Sequence, residues 1–232
     1  MLDPRVLPPI GATFLALTIS GCTAPRPVGP TLQADCMTLI EGFDGDVGFY
    51  VRHLETGEQA AHRADEAFPT ASMIKVPILL TVFDGLERGD LHYTEPLVYS
   101  TERLYPGEDL LGSFAEGEHI DISRLCMLMI TMSDNTASLW LQELAGTGTR
   151  INAWLAEHGF TVTRMNSRTP GREAAKERYG WGQTSPREMA ELLVRIRDRR
   201  AVSPAADEEM HRILTRSWWD GEALDSLPPS VQ

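Results

Sequence analysis

The residue pair Ser72 and Lys75 has the types and spacing of a nucleophile and its base. The pair lies at the start of a strongly apolar run from Met73 to Leu86. In a helix, side chains three positions apart lie on one face, so the lysine amine would lie beside the serine hydroxyl. A serine hydroxyl needs a base within hydrogen-bond reach, and burial disfavours the charged form of lysine. The spacing therefore predicts a serine nucleophile, although a helix-capping serine and a surface-reaching lysine would share it.

A second motif, Ser133-Asp134-Asn135, lies between two predicted helical segments. A hydroxyl and an amide side by side can relay a proton and bind a carbonyl group. By itself the tripeptide is weak, because the same residues are typical helix caps. Taken together, the two motifs predict a cleft in which Ser72, Lys75 and Ser133 meet.

The elements that must position these motifs follow from hydrophobic periodicity. Alternation over residues 46–54, a turn and a return strand to about His62 predict a β-hairpin. The apolar run after Ser72 predicts a buried helix that ends at Arg88-Gly89 and tolerates Pro77 near its start. Further helices are predicted over 31–41, after Asp121, after Ser133-Asp134-Asn135 to about Leu144, from Thr149 to His158, and after the cap-and-proline pairs Ser185-Pro186 and Ser203-Pro204. Segments 90–118 and 165–183 are predicted to be irregular loops, and a loop as long as the second is usually functional or disordered.

Composition excludes several classes of function. The chain has 232 residues, 42% hydrophobic and 23% charged, with a formal net charge of −12. Such a composition is typical of a globular protein, and the negative charge makes nucleic acid a poor partner. The six histidines show no metal-ligand spacing, so no metal site is predicted. Chemistry by a serine nucleophile and its base needs no organic cofactor, and none is predicted.

The N-terminal residues have the pattern of an export signal. Arg5 precedes a largely apolar run, Val6 to Ile19, and the run ends in Ile19-Ser20-Gly21-Cys22, which resembles a bacterial lipoprotein processing box. We therefore predict a signal peptide over 1–22 with lipidation of Cys22, a Pro-rich tether over 23–30, and a catalytic domain over 31–232. The protein would be exported, as a periplasmic or membrane-anchored lipoprotein that meets the membrane through that lipid. An ordinary cleaved signal with an incidental Cys22 is the alternative, and Asp3 beside Arg5 counts against the lipoprotein pattern.

Three segments resemble class A β-lactamases and the wider superfamily of penicillin-recognising serine hydrolases. The motifs typical of that superfamily include Ser-x-x-Lys and Ser-Asp-Asn. Both occur here with similar flanks, and the segment that closes the family's omega loop has a counterpart; the matching segments are 68–77, 128–137 and 184–190. The resemblance runs from about Thr31 to Gln232. It implies an α/β fold, with a helical lobe packed on an antiparallel sheet and the active site in the cleft between them.

The resemblance also implies a role for each motif residue. Ser72 would attack the carbonyl of a β-lactam or a peptidoglycan peptide, and its backbone N–H would form half of the oxyanion hole. Lys75 would act as the base or as part of a proton relay. Ser133 would pass the proton to the leaving nitrogen, and Asn135 would bind the amide of the substrate's side chain.

Two departures from the family pattern bear on turnover. In the family, the omega loop carries the motif Glu-x-x-Leu-Asn, and the glutamate of this motif activates the deacylating water. An ungapped register places Thr169 at the glutamate position and Glu173 at the asparagine position. Glu173 is the tentative deacylation base, with Glu177 as a substitute. Both also fit solvated loop carboxylates, in which case the acyl-enzyme would hydrolyse slowly.

The second departure is that the Lys-Thr-Gly motif is missing, so we expect the family's C-terminal strands to be absent from this chain.

Three functions therefore remain open. The leading one is a serine β-lactamase, and the second is a D-alanyl-D-alanine peptidase or another serine hydrolase on the same scaffold. The third is a lipoprotein that binds penicillin or peptidoglycan without turnover.

Cys36 and Cys126 are expected to be buried free thiols. Cys126 lies where many class A enzymes have a disulfide cysteine, but Leu79 occupies the expected partner position.

Overall fold

A computed structural model describes residues 31–107, 109–218, 221 and 226–227. The predicted signal peptide with Cys22 and the tether over 23–30 lie outside these described residues. The helices are α1 (Leu32–Leu39), α2 (Lys75–Glu87), α3 (Ile122–Thr131), α4 (Asn135–Leu144), α5 (Thr147–Glu157), α6 (Glu173–Tyr179), α7 (Pro186–Arg197) and α8 (Pro204–Leu214). The strands are β1 (Phe49–Arg52), β2 (Gln59–His62), β3 (Phe68–Pro69), β4 (Pro96–Val98), β5 (His119–Asp121), β6 (Arg164–Met165) and β7 (Gly182–Thr184). None of the helices within the described ranges is long and apolar enough to cross a bilayer.

Helix α2 lies at the centre of the hydrophobic core. Its residues from Lys75 to Phe83 are all buried, because α3, α4, α5 and α8 pack around it. Pro77 is accommodated in the first turn, where the missing amide has no carbonyl to bond within the helix. The apolar run therefore behaves as a helix that is surrounded by protein on every side. Large side chains from the neighbouring helices complete this core: Leu125, Met129, Leu141, Ile151, Trp154 and Met210.

Side-chain caps begin four of the helices where the sequence predicts them. The Asp121 carboxylate accepts a hydrogen bond from Arg124 N–H at 2.9 Å. The hydroxyl of Ser185 accepts one from Glu188 N–H at 3.2 Å. Asp134 and Ser203 cap α4 and α8 in the same way. Each cap satisfies an amide that has no partner within its helix, so the predicted helix starts are confirmed.

Within the described residues, three small antiparallel sheets flank the helices. The predicted hairpin is β1–β2, with Phe49 opposite His62. A second pair joins β4 to β5. The third sheet has the order β3–β7–β6, in which Phe68 pairs with Thr184 and Arg164 with Gln183. This third sheet matters most for function, because β3 leads directly into the Ser72 segment.

Two predictions about segments were wrong. The 165–183 segment, predicted to be irregular, contains β6, α6 and β7, and the 90–118 segment contains β4 and the two short 3₁₀ helices Thr101–Arg103 and Leu111–Ser113. Helix α6 has no buried residue, so it carries no apolar stripe that periodicity could detect. Its Glu, Ala, Lys and Arg content is the signal that favours a helix.

The two cysteines of the described chain are free thiols. Cys126 is fully buried, as predicted, and burial raises the pKa of its thiol well above the ordinary value. Cys36 is only half buried, because α1 lies on the surface against β2 and has no fully buried residue. The prediction of a buried thiol at Cys36 was therefore wrong.

Candidate active site

Ser72 lies in the 3₁₀ helix Ala71–Ile74 between β3 and α2. The Thr70 N–H donates to the Gly182 carbonyl of β7 at 3.1 Å, and the Met73 N–H donates to the Thr70 carbonyl at 3.0 Å. A Cβ on Gly182 would lie 2.6 Å from Ile74 Cγ1, so only glycine allows this close approach of strand and helix. The result is a turn whose Ile74 is buried and whose Ser72 faces solvent.

The backbone is strained at two places beside this serine. Ala71 has a φ of +44° and Ser133 a φ of +60°, both in the left-handed region that side chains with a Cβ rarely adopt. Such conformations cost roughly 1–3 kcal/mol each and concentrate at functional sites, where surrounding contacts hold them in place. The strain points to a requirement for a defined placement of Ser72 and Ser133.

The amine of Lys75 lies at the base of this site and is surrounded by oxygen atoms. Its side chain belongs to a residue that is only 3% exposed. Nζ donates to Ser133 Oγ at 2.8 Å, to Asn135 Oδ1 at 3.1 Å and to the Ser133 carbonyl oxygen. Ser72 Oγ lies farther away, at 3.5 Å. A protonated lysine has three hydrogens, so these three closer oxygens can use all of them and leave the Ser72 contact as the weak one.

Ser133 connects the amine to the nucleophile. Its Oγ donates to Ser72 Oγ at 3.0 Å while it accepts from Lys75 Nζ at 2.8 Å. Three groups from two distant parts of the chain therefore form a continuous hydrogen-bonded path. A proton can move along this path between Ser72 and Lys75 without any large side-chain motion.

Asp134 holds the second motif in place through hydrogen bonds to its side chain. Its buried carboxylate accepts from Leu110 N–H at 2.7 Å, from Leu111 N–H at 2.8 Å and from Ala137 N–H at 2.7 Å. These bonds join the Ser133 turn to the segment 109–111. Burial, together with the nearby Asp134 charge, raises the pKa of the Asp109 carboxyl in that segment.

An open pocket of about 570 Å³ begins at Ser72. Its aromatic part is formed by Tyr105 and Trp181, whose rings meet edge to face with centroids 5.2 Å apart. The Trp181 carbonyl accepts from the N–H groups of Asn166 and Ser167, at 2.8 and 2.9 Å, which fixes this part of the pocket. The described residues that line the pocket are Pro69, Ala71, Ser72, Tyr105, Asn135, Arg178, Tyr179, Gly180 and Trp181.

A family model for the β-lactamase enzyme family matches residues 31–232. The chain belongs to the β-lactamase enzyme family. It is 28% identical over 197 residues to β-lactamase ROB-1 of Haemophilus influenzae, a match that covers 77% of this chain and 63% of that protein. It is 30% identical over 175 residues to a β-lactamase of Streptomyces fradiae, with 72% of this chain and 56% of that protein covered. The chain thus spans about three fifths of the length of these curated relatives.

Solved structures place the fold in the same family. The protein described as PBP-A has a TM-score of 0.75 and 25% identity, and the match covers 85% of this chain and 72% of that one. An ancestral class A β-lactamase has a TM-score of 0.74 and 26% identity, with 86% and 76% of the two chains covered. The predicted family and the predicted fold class, with helices packed on antiparallel sheet, are confirmed.

Four of the site residues predicted from the sequence lie together in the structure of this β-lactamase family member. Ser72, Lys75, Ser133 and Asn135 share one hydrogen-bonded cluster. Their catalytic roles stay predictions. In the part of the chain that the structure describes, no group of three or more His, Cys, Asp and Glu side chains is arranged to hold a metal ion.

Glu173 is placed apart from this cluster. Its side chain is exposed at the start of α6, where the carboxylate accepts from Gly171 N–H at 3.1 Å. It lines a different pocket, together with Thr169. Glu177 is exposed and is not among the residues that line the Ser72 pocket. The assignment of Glu173 as deacylation base stays a prediction, without a contact that supports it.

Sequence reasoning missed four side chains of the pocket. Tyr105, Arg178, Tyr179 and Trp181 come from the two segments predicted to be irregular. The available signal was the presence of large aromatic residues inside otherwise polar stretches, where no core requires them.

Proposed function

We propose that the protein is a serine hydrolase of the class A β-lactamase type, which opens β-lactam amide bonds through an acyl-enzyme on Ser72. The observation that carries this proposal is the path Ser72 Oγ–Ser133 Oγ–Lys75 Nζ, with steps of 3.0 and 2.8 Å. A serine alcohol becomes a competent nucleophile when a base can remove its proton at this range. Membership of the family adds support for β-lactams as substrates.

In the acylation step Lys75 acts as a neutral amine, with an Nζ lone pair in place of one of the three donated hydrogens. Ser72 Oγ attacks the lactam carbonyl carbon while its proton passes to that amine, directly or through Ser133 Oγ, whose hydroxyl then turns to donate to Nζ. The carbonyl oxygen becomes an oxyanion, for which the Ser72 backbone N–H is one donor. Collapse of this intermediate breaks the C–N bond. The proton then returns through Ser133 Oγ to the leaving nitrogen, and an ester on Ser72 remains.

Deacylation is the step that this site supports least. Water must attack the ester, and a base must take a proton from that water. Among the described residues of the pocket there is no carboxylate, and Glu173 lies in another pocket. We therefore infer that the acyl-enzyme forms faster than it hydrolyses.

Slow deacylation favours two other candidate functions. A D-alanyl-D-alanine peptidase would use the same acylation groups on a peptide substrate. A lipoprotein that binds penicillin without turnover would retain the acyl group, and the likeness to PBP-A supports this candidate, because a variant of that protein was solved as an acyl-enzyme complex with penicillin G.

Mass spectrometry after incubation with benzylpenicillin tests the acylation step. We expect an adduct on the peptide that contains Ser72, its loss in Ser72→Ala, and its retention in the control Ser113→Ala. No adduct on folded protein, or an adduct on a different residue, would reject the proposal.

Turnover separates the candidates. Steady hydrolysis of a chromogenic cephalosporin indicates a β-lactamase, a single burst indicates a slowly deacylating binder, and release of D-alanine from a pentapeptide indicates a peptidase. Glu173→Gln addresses the deacylation base, since an unchanged rate of adduct loss would exclude Glu173 from that role.

We also propose that the protein is exported and anchored through a lipid on Cys22. The support is the apolar run that ends in Ile19-Ser20-Gly21-Cys22. Metabolic labelling with a fatty acid tests the proposal. Labelling should vanish in Cys22→Ser, and label that persists in this variant would contradict it.

A further inference from the structure

The pocket beside Ser72 contains a cationic side chain, Arg178. This residue lies near the C-terminal end of α6 and is exposed at the pocket wall, next to Tyr179. Every other described residue that lines the pocket is uncharged. Because the whole chain carries a formal charge of −12, a pocket whose lining is cationic differs from the average surface.

The guanidinium of Arg178 is available to a ligand. Its side-chain contact within the described chain is with the Tyr179 ring, 5.0 Å from the ring centroid. Other arginines near the site are already engaged: Arg172 donates to Asn166 and Gln183, and Arg187 pairs with Asp65. A guanidinium has five donors in a planar fork that fits a carboxylate.

The position of the pocket indicates which part of a substrate it holds. It extends from Ser72 past Asn135 to the 178–181 segment, and Ser133 and Lys75 are not among its lining residues. In the proposed mechanism Ser133 delivers a proton to the leaving nitrogen. Asn135, to which the family resemblance assigns the amide of the acyl side chain, lines this pocket, whereas Ser133 does not. We therefore assign the pocket to the acyl side chain of the substrate.

We propose that Arg178 makes the enzyme selective for substrates with a carboxylate on the acyl side chain. This inference rests on the proposed function, since it assumes acylation of Ser72. The guanidinium would pair with the carboxylate, while Tyr105 and Trp181 contact the apolar part of the same side chain. Because Arg178 is exposed, solvent would partly screen this ion pair, so its effect on the acylation rate would be moderate.

Two penicillins test the proposal directly. Benzylpenicillin and its analogue with a carboxylate on the α-carbon of the acyl side chain differ in that one group. The measurement is the second-order rate constant for acylation of Ser72 in the purified protein, followed by mass spectrometry. We expect Arg178→Gln to lower the rate for the carboxylated analogue about three- to tenfold more than the rate for benzylpenicillin.

Lys176→Gln is the matched control. It removes the same charge from the same helix, but Lys176 lines the separate pocket with Thr169. We expect no change in the ratio of the two rates in this variant, and we expect the Arg178→Gln effect to shrink when salt is raised, because salt screens exposed charges.

The outcomes are distinguishable. An equal loss for both penicillins, an unchanged ratio, or the same change of ratio in Lys176→Gln would overturn the role of Arg178 and leave the proposed function intact. If neither penicillin forms an adduct with the folded unmodified protein, the proposed function itself fails.

Discussion

Glu188 offers the sharpest test of how the pocket wall is held. Its carboxylate, on α7, accepts from the N–H groups of Thr161, Val162 and Thr163 at 2.7, 3.0 and 2.6 Å, and from the Thr163 hydroxyl at 2.7 Å. This segment leads into β6, which pairs with β7, and β7 in turn bonds to the turn that carries Ser72. Replacement by glutamine keeps the shape but turns one acceptor oxygen into a donor.

The expected cost follows from these bonds. Whichever oxygen becomes the amide nitrogen, at least one backbone N–H then faces another N–H. A hydrogen bond to a charged acceptor contributes about 1.5–3 kcal/mol. The bond from Thr161 contributes least, because Thr161 is exposed. We therefore expect Glu188→Gln to lower the free energy of unfolding by about 2–4 kcal/mol. For a domain of this size the loss corresponds to a fall in Tm of about 5–15 °C.

The pH dependence of this stabilisation has a definite sign. Burial by itself raises the pKa of Glu188, but the hydrogen bonds from Thr163, Val162 and Thr161 outweigh it and lower the pKa below the ordinary value. The stabilisation is therefore complete above the unfolded pKa, about 4.3, and disappears as the pH falls through the folded value. The difference between the original protein and Glu188→Gln should be constant near neutral pH and shrink in acid.

Urea unfolding at several pH values measures this difference. Glu191→Gln is the control, because Glu191 lies on the same helix and, among the described residues, its ion pair is with Arg195, at 3.1 Å on a partly exposed surface. Such a pair is worth roughly 0.3–0.5 kcal/mol. Equal losses in the two variants, or a Glu188→Gln loss that does not shrink in acid, would refute the reasoning.

Three further substitutions probe the site. Ser133→Ala removes the link to Lys75 and should slow the acylation of Ser72 about 10²–10⁴-fold by stopped-flow assay, while unchanged kinetics would exclude the relay. Asp134→Asn removes the charged acceptor of three backbone amides, and urea unfolding should show a loss of about 2–4 kcal/mol; a loss below about 0.5 kcal/mol would contradict the role given to that carboxylate. Gly182→Ala forces a methyl group against the Ser72 turn and should cost about 1–3 kcal/mol, and a thermal melt like that of the original protein would show that the turn can move aside.

The sequence alone determined much of the scaffold. Caps such as Asp121 and Ser185 are local: one side chain satisfies an amide three residues away, so the pattern predicts the helix start. The length and apolar character of the run after Ser72 are also local properties of the sequence, and they predicted the central helix. The Ser72–Lys75 pair is likewise set by the geometry of one helical turn.

Only the tertiary structure decided what surrounds that pair. The contact between Ser72 and Ser133 joins residues far apart in the sequence, and the residue type of Ser133 gives no sign of its positive φ. Likewise, α6 has no buried face, so nothing in its hydrophobic pattern shows that Arg178 points to the pocket and Glu173 lies apart from it. Side chains of exposed segments are positioned by distant packing partners, and the order of residues does not reveal those partners.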